Sequence, residues 1–281
     1  MKYLDIDGIR YETLPLLQRV FNHAVLNPLL NYIIPSNMLI DFLSKSKSPL
    51  IHESILRPGG WRAMRISYEN REPRDWIDKR ILKDAVLTLS ARNRRRMAVS
   101  ALKNLIYRHC AQGDVHIVGI GTGPGFNVLE AMVDANTDRV FAYCIDEDVD
   151  AFEFGRRLAD EMGLGGRVRY IAGNAVNLEH LLEVVPHIVK MVGILEYLTD
   201  DQVMELFRVS HRMLPMGGSI LVNSMRDTHG VDRYLRRVFN WHLNYRTPQK
   251  ILRLFEECGF GDFHHRSDPL GVYSIVVASK R

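Results

Sequence analysis

Beyond residue 113, short apolar runs alternate with amphipathic stretches. The runs are Val115–Ile120, Val140–Ile145, Val168–Ala172, Ile188–Val192, Ser219–Asn223 and Tyr273–Ala278. Short apolar runs bounded by turn-forming residues read as buried strands. Between them, Asn127–Ala135, Val149–Met162, Asp201–Met213 and Pro248–Cys258 carry apolar residues at helical spacing. Strands alternating with helices predict βαβ units and an α/β fold with a mainly parallel sheet. Right-handed crossovers then set the loops that follow the strands along one edge, where ligands of such sheets bind.

The chain before that point reads as helical. Leu14, Leu17, Val20, Phe21 and Leu26 recur at roughly helical spacing until Pro28 and Pro35 interrupt them. Pro35-Ser-Asn37 looks like a cap before Met38–Leu43, and Pro58-Gly-Gly60 like a turn. A further helix is expected from Trp76 to Tyr107, with Ile77, Ile81, Leu82, Ala85, Leu87 and Leu89 on its apolar side. The pattern thus predicts a helical segment over 1–110 and a sheet domain over 111–281.

Composition narrows the class. At 46% hydrophobic and 25% charged residues, the 281-residue chain is neither disordered nor fibrous. No apolar run approaches the ~18 residues of a membrane span, and the first residues lack a signal-peptide pattern. Cys110, Cys144 and Cys258 lie far apart, so no zinc or dithiol motif is expected, and the scattered thiols suit the cytoplasm. Charge divides the chain. Residues 1–110 hold 19 basic and 10 acidic side chains, and the remainder 18 and 23.

Gly119-Ile-Gly121-Thr-Gly123-Pro-Gly125 follows the first strand of the sheet domain and precedes a helix. A nucleotide-triphosphate loop would need Gly-Lys-Ser/Thr at its end, where this chain has Gly125-Phe126-Asn127. The dinucleotide GxGxxG fails too, because its last glycine falls on Pro124 or Phe126. GxGxG fits. Asp146 ends the second strand, where a carboxylate can accept from two ribose hydroxyls; capping of the next helix is the alternative. Asp146, Asp148 and Asp150 imitate a calcium loop, but Ala151 and Arg157 stand where Gly and Glu are required.

With Ala172-Gly-Asn174-Ala175 after the third strand, Gly193-Ile-Leu-Glu196-Tyr-Leu198 after the fourth and Leu214-Pro-Met-Gly217-Gly218 before the fifth, the chain resembles the Rossmann-like S-adenosylmethionine-dependent methyltransferases. The resemblance covers 113–281. It implies a seven-stranded, mainly parallel sheet flanked by helices, with S-adenosylmethionine as cofactor. It also implies cofactor contacts from Gly119, Gly121, Gly123, Asp146, Asn174, Ala175 and Gly193. Two positions depart from the family pattern. Asn174 stands where Asp is common, and Ile117 where an acid helps hold the cofactor's ammonium group. Segments 193–198, 221–225 and 241–247 also look like a bacterial subgroup linked to hydroxy-fatty-acid methyl esters.

Methyl transfer from a sulfonium is an in-line displacement that needs alignment more than acid–base machinery. The expected acceptor is a small molecule methylated at oxygen, as carboxylate or hydroxyl, with carbon or nitrogen second. Candidate acceptor residues cluster over Asn223–Arg246. Tyr245 and His242 can take a proton from a hydroxyl, and Arg246 can clamp an acid. Segment 61–80, with Arg62, Tyr68, Arg71 and Trp76, is a candidate lid. Two alternatives stand beside this reading. The basic first part, with Arg92 and Arg94–Arg96, suits an RNA or DNA methyltransferase, although the Asn/Asp-Pro-Pro-Tyr/Phe motif of many base methylases is missing. A non-catalytic S-adenosylmethionine-binding protein is the other. The pattern leaves the oligomeric state open, while an apolar helical arm can exchange between subunits of a homodimer.

Overall fold

The computed structural model describes residues 2–174, 182–227 and 229–281. The chain divides into two units. One comprises Met1–Arg96, Met225–Tyr245 and Ser267–Tyr273, and the other comprises Met97–Ser224, Arg246–Arg266 and Ser274–Arg281.

The first unit opens with an antiparallel hairpin, β1 (Lys2–Ile6) and β2 (Ile9–Thr13). Sequence patterning assigns no strand here. Its signal is the dipeptide Asp7-Gly8, both at positive φ (49° and 74°), as a tight two-residue hairpin turn requires. Helices follow: α1 (Leu16–Phe21), α2 (Ser36–Ser44), α3 (Pro49–Leu56), α4 (Trp61–Glu69), α5 (Trp76–Lys83) and α6 (Val86–Cys110), with π-helical turns at Asn22–Leu26 and Leu29–Ile33. The single helix expected over Trp76–Tyr107 is two helices. Apolar residues stay in helical phase across Asp84 and Ala85, so spacing alone conceals the break.

The helical unit also ends elsewhere than at residue 110. It stops at Arg96 within α6 and gains two later pieces. Hydrogen bonds between distant residues hold those pieces. The Tyr234 amide donates to Asn31 Oδ1 at 2.7 Å, and the Arg237 guanidinium to the carbonyls of Asn31 (2.6 Å) and Ile34 (2.8 Å). Ser90 Oγ donates to Asp268 at 3.0 Å.

The sheet unit supplies most of β3 (Val115–Ile120), β4 (Val140–Asp146), β5 (Val168–Ala172), β6 (Ile188–Met191), β7 (Ser219–Met225), β8 (Phe260–Ser267) and β9 (Tyr273–Lys280). Seven strands lie in the order β5-β4-β3-β6-β7-β9-β8. β3 pairs in parallel with β4 and β6, β4 with β5, and β6 with β7. β9 runs antiparallel to β7: Gly217 donates to the Lys280 carbonyl, while Arg226 donates to that of Val272. The fold is the mainly parallel, Rossmann-like α/β sheet. Helices α7 (Phe126–Ala135), α8 (Asp150–Glu161), α9 (Asp200–Met213) and α11 (Pro248–Glu257) belong to this unit, and α10 (Asp232–Phe239) to the first. β8 was not among the apolar runs because outward His264, His265 and Arg266 interrupt its pattern. The core of the sheet unit gathers Val118, Ile120, Val189, Ile220, Phe207 and Phe255, the last two with ring centroids 4.4 Å apart. β3 lies between β4 and β6, where the strand order reverses, the place at which sheets of this kind bind ligands.

Candidate functional site

The loop after β3 is shaped by its glycines. Gly121, Gly123 and Gly125 have φ of 60°, 54° and 85°. Gly121 has a second constraint: a Cβ there would lie 2.7 Å from Ile194 Cδ1, and its amide donates to the Ile145 carbonyl at 2.9 Å. A side chain at Gly121 would thus meet strain and collision together. At Gly119 a Cβ would lie 2.4 Å from Thr122 Cγ2.

Asp146 organises this loop. Its Oδ2 accepts from the Gly123 amide at 2.6 Å, and its Oδ1 from the Asp148 amide at 2.9 Å. An ionised carboxylate offers about four acceptor positions, so both oxygens keep capacity for another donor. The half-buried acid joins the loops after β3 and β4. Asn174 is exposed, and its Nδ2 donates to Glu147 Oε1 at 2.6 Å. Ala175 lies outside the described residues. Tyr170 donates from its hydroxyl to the Pro124 carbonyl at 2.8 Å; burial raises its pKa and keeps it a donor.

On the other side of β3, Gly193 (φ 92°) donates to Asn223 Oδ1 at 2.7 Å. Asn223 Nδ2 faces both oxygens of Glu196 at 3.4 Å. Asn223 and Glu196 are both buried. Position 117 is a fully buried strand isoleucine, with no carboxylate to offer.

Arg246 is also buried. It donates to Asp200 Oδ1 (2.8 Å) and to the carbonyls of Leu195 and Leu198 (both 2.6 Å), and so fixes the loop after β6. Its guanidinium holds the Asp200 carboxyl below the usual carboxylate range, with Lys250 assisting against partial burial. Sequence spacing gave no sign of this partner, which lies 46 positions away.

The helical unit holds the other candidates. Tyr245 has a buried hydroxyl whose pKa is raised by burial and by the nearby Asp232 carboxylate. His242 is exposed, with Nε2 at 3.0 Å from Asn240 Oδ1 and Nδ1 at 3.1 Å from Arg236 Nη1. His229, Trp241 and Trp76 line a cavity of about 390 Å³ within this unit. Tyr68 lies under Arg95, and Arg71 pairs with Asp78 at 3.2 Å.

The arginine run turns inward. Arg92 and Arg94 are 3% and 5% exposed. Arg92 Nε reaches both oxygens of Glu12 at 2.9 Å, and Arg96 reaches Oε1 at 2.6 Å. Burial alone would raise Glu12, but the two guanidiniums outweigh it and hold the carboxyl below its ordinary value. Arg92 and Arg96 therefore form an ion cluster on buried Glu12, and the burial of Arg92 and Arg94 leaves both unavailable to a phosphate backbone.

The model of a family described as "Putative methyltransferase" matches residues 70–280. No curated protein matches. Among solved structures, the chain is similar to a possible exported protein from Bordetella parapertussis (18% identity, 94% of this chain and 96% of that one, TM-score 0.67). It is also similar to magnesium protoporphyrin IX methyltransferase from Synechocystis PCC 6803 with bound SAH (10% identity, 88% and 99%, TM-score 0.58). A third is an O-methyltransferase family protein from Burkholderia thailandensis (13% identity, 83% and 71%, TM-score 0.54). At these identities the likeness establishes the fold. None of these descriptions supports the narrower resemblance to hydroxy-fatty-acid methyl ester proteins. Among the described residues, no helix is long and apolar enough to cross a membrane.

Proposed function

The chain belongs to this methyltransferase family, and from that premise we propose that it transfers the methyl group of S-adenosylmethionine to an oxygen of a small molecule. Asp146 carries the reading: a carboxylate with spare lone pairs at the end of β4, bonded to the glycine loop at the point where strand order reverses. S-adenosylmethionine, when bound, supplies a methyl group already activated by positive sulfur. Asp146 accepts the ribose hydroxyls. Gly119, Gly121 and Gly123 let the backbone approach the methionine part. Asn174 faces the adenine, and Gly193, held by Asn223, shapes the opposite wall. Glu196, buried behind Asn223, is the acid nearest in role to the one that Ile117 replaces.

The protein's own chemistry is then positioning, desolvation and, for a hydroxyl acceptor, removal of one proton. Burial and the nearby Asp232 carboxylate keep Tyr245 protonated, which makes it a donor and not the base expected from the sequence. His242 is the candidate for the acceptor's proton once its Nδ1 parts from the Arg236 guanidinium, which holds it at 3.1 Å. Arg246 acts through the loop after β6, because its donors are committed to Asp200 and two carbonyls. The three free thiols suit a reducing compartment, and we assign the cytoplasm.

Calorimetric titration with S-adenosylmethionine tests the proposal. The wild type binds one equivalent, and Asp146→Ala weakens binding about 100-fold, as expected for losing two hydrogen bonds to a charged acceptor. Asp146→Asn, which keeps an acceptor for the Gly123 amide, separates loop collapse from lost ribose contacts. A folded wild type that takes up no cofactor overturns the proposal.

A further inference from the structure

The helical unit holds an open-mouthed cavity of about 390 Å³, within the range of small-molecule pockets. Its walls are mainly apolar and rich in rings, among them Phe42, Trp76, Tyr234, Phe239, Trp241 and Tyr273. Charge on the walls is balanced internally. Arg80 pairs with Asp84 at 3.8 Å and donates to Asn22 Oδ1 at 2.6 Å. Other polar wall groups are engaged as well. Ser54 Oγ donates to the Leu50 carbonyl at 2.7 Å, Asn27 to the His229 carbonyl, and His229 Nε2 to the Leu270 carbonyl at 2.7 Å.

Ser67 is different. It lines the cavity, is 2% exposed, and its Oγ has no hydrogen-bond partner. A buried hydroxyl left bare costs about 1–3 kcal/mol. One water would satisfy it but would fill only ~30 Å³ of the space. An ion would have to displace Arg80 or Asp84 from its partner to gain a counter-charge.

We infer that this cavity is a binding site for a neutral, largely apolar small molecule that places one hydrogen-bonding group against Ser67. The inference does not depend on the methyl-transfer reading.

Two probes differing in charge test the site: neutral N-phenyl-1-naphthylamine and its sulfonated analogue 1-anilinonaphthalene-8-sulfonate. Both are read by energy transfer from tryptophan in the full chain, without any methyl donor. Two of the chain's three tryptophans, Trp76 and Trp241, line the cavity. The neutral probe should bind saturably at one equivalent and about ten-fold or more tighter than the sulfonate, since an unpaired buried charge is costly. Ala85→Phe and Ala91→Phe, which fill the space from the α6 side, should each weaken it about ten-fold with the melting temperature and S-adenosylmethionine affinity preserved. Ser67→Ala should weaken it about five-fold through loss of the amine's acceptor. Non-saturable binding, equal affinity for the two probes, or unchanged binding in a folded filling variant overturns the inference. Should both filling variants unfold, the charge discrimination and stoichiometry of the wild type decide it. Loss of S-adenosylmethionine binding with probe binding intact would instead refute only the methyl-transfer reading.

Discussion

The sheet unit and the helical unit use their polar groups in opposite ways. In the first, Asp146, Asn223 and Arg246 bind backbone groups of loops at the carboxyl ends of strands, so polarity collects along that edge. In the second, some charge goes inward while some large apolar side chains stay outside. Glu12 is fully buried with Arg92, while Leu16, Leu17 and Tyr32 are 72%, 85% and 70% exposed. Apart from the Arg246 brace, the sheet unit thus follows local rules, in which strands are apolar and strand ends are polar. The helical unit depends on single long-range pairs, and its stability should be correspondingly brittle.

The largest effect should come from Arg92→Met. It leaves Glu12 buried with Arg96 as its remaining ionic partner and removes the donors that reach the Leu82 and Ser67 carbonyls at 2.9 and 3.2 Å. Breaking a buried pair from one side typically costs about 3–5 kcal/mol. Urea unfolding should show a loss of about 3 kcal/mol, of which the double variant Glu12→Leu/Arg92→Met recovers a part, because no charge is then stranded. A single-variant loss below about 1 kcal/mol would erase the contrast drawn between the units.

The same contrast decides what could be read from the sequence. β3, β4, β6 and β7 are legible because each is a short apolar run, and the glycine loop and Asp146 are legible because the spacing excludes the rival glycine loops and the acid ends the next strand. Arg246 was legible as an important arginine but not as a loop brace, since nothing in the spacing points to Asp200. The inward turn of Arg92–Arg96 was hidden for a related reason. An arginine run looks the same in sequence whether it meets solvent or a glutamate 80 positions earlier. The cavity is the extreme case, because its walls come from three separated stretches of chain and only packing brings them together.

A smaller effect should appear in the sheet unit under acid. His109 on α6 sits 3.0 Å from Ser219 Oγ through its Nε2, and its ring centroid is 6.1 Å from that of His187, which stacks on His116. Burial first, then His187 and Arg108, push its pKa down to about 4. Between about 4 and the ordinary 6.5 the unfolded chain holds a proton that the folded chain lacks. Stability should therefore be full above that window and fall as pH drops through it, by roughly 2 kcal/mol. His187, lowered by burial and His116, acts in the same direction. Denaturation midpoints measured from pH 7 to pH 4 test this. His109→Gln, which keeps a partner for Ser219, should flatten the curve, and an unchanged slope would remove His109 as its cause.

The smallest effect concerns how far local structure and the site are separable in the sheet unit. α9 begins with a reciprocal cap: Thr199 Oγ1 accepts from the Gln202 amide at 3.3 Å, and Gln202 Oε1 accepts from the Thr199 amide at 2.9 Å. Thr199→Ala should cost about 1 kcal/mol, the usual worth of such a cap. Asp200, the next residue, is held by Arg246 and by Lys250 at 3.2 Å, and Arg246 also holds the loop after β6. If that brace alone positions the loop, Thr199→Ala lowers the denaturation midpoint while S-adenosylmethionine affinity stays at the wild-type value. Arg246→Met should do the reverse in emphasis and weaken cofactor binding more than its stability loss explains. Were the cap variant to lose affinity as well, the helix start and the loop would be one mechanical element, and the sheet unit would share the long-range dependence that marks the helical one.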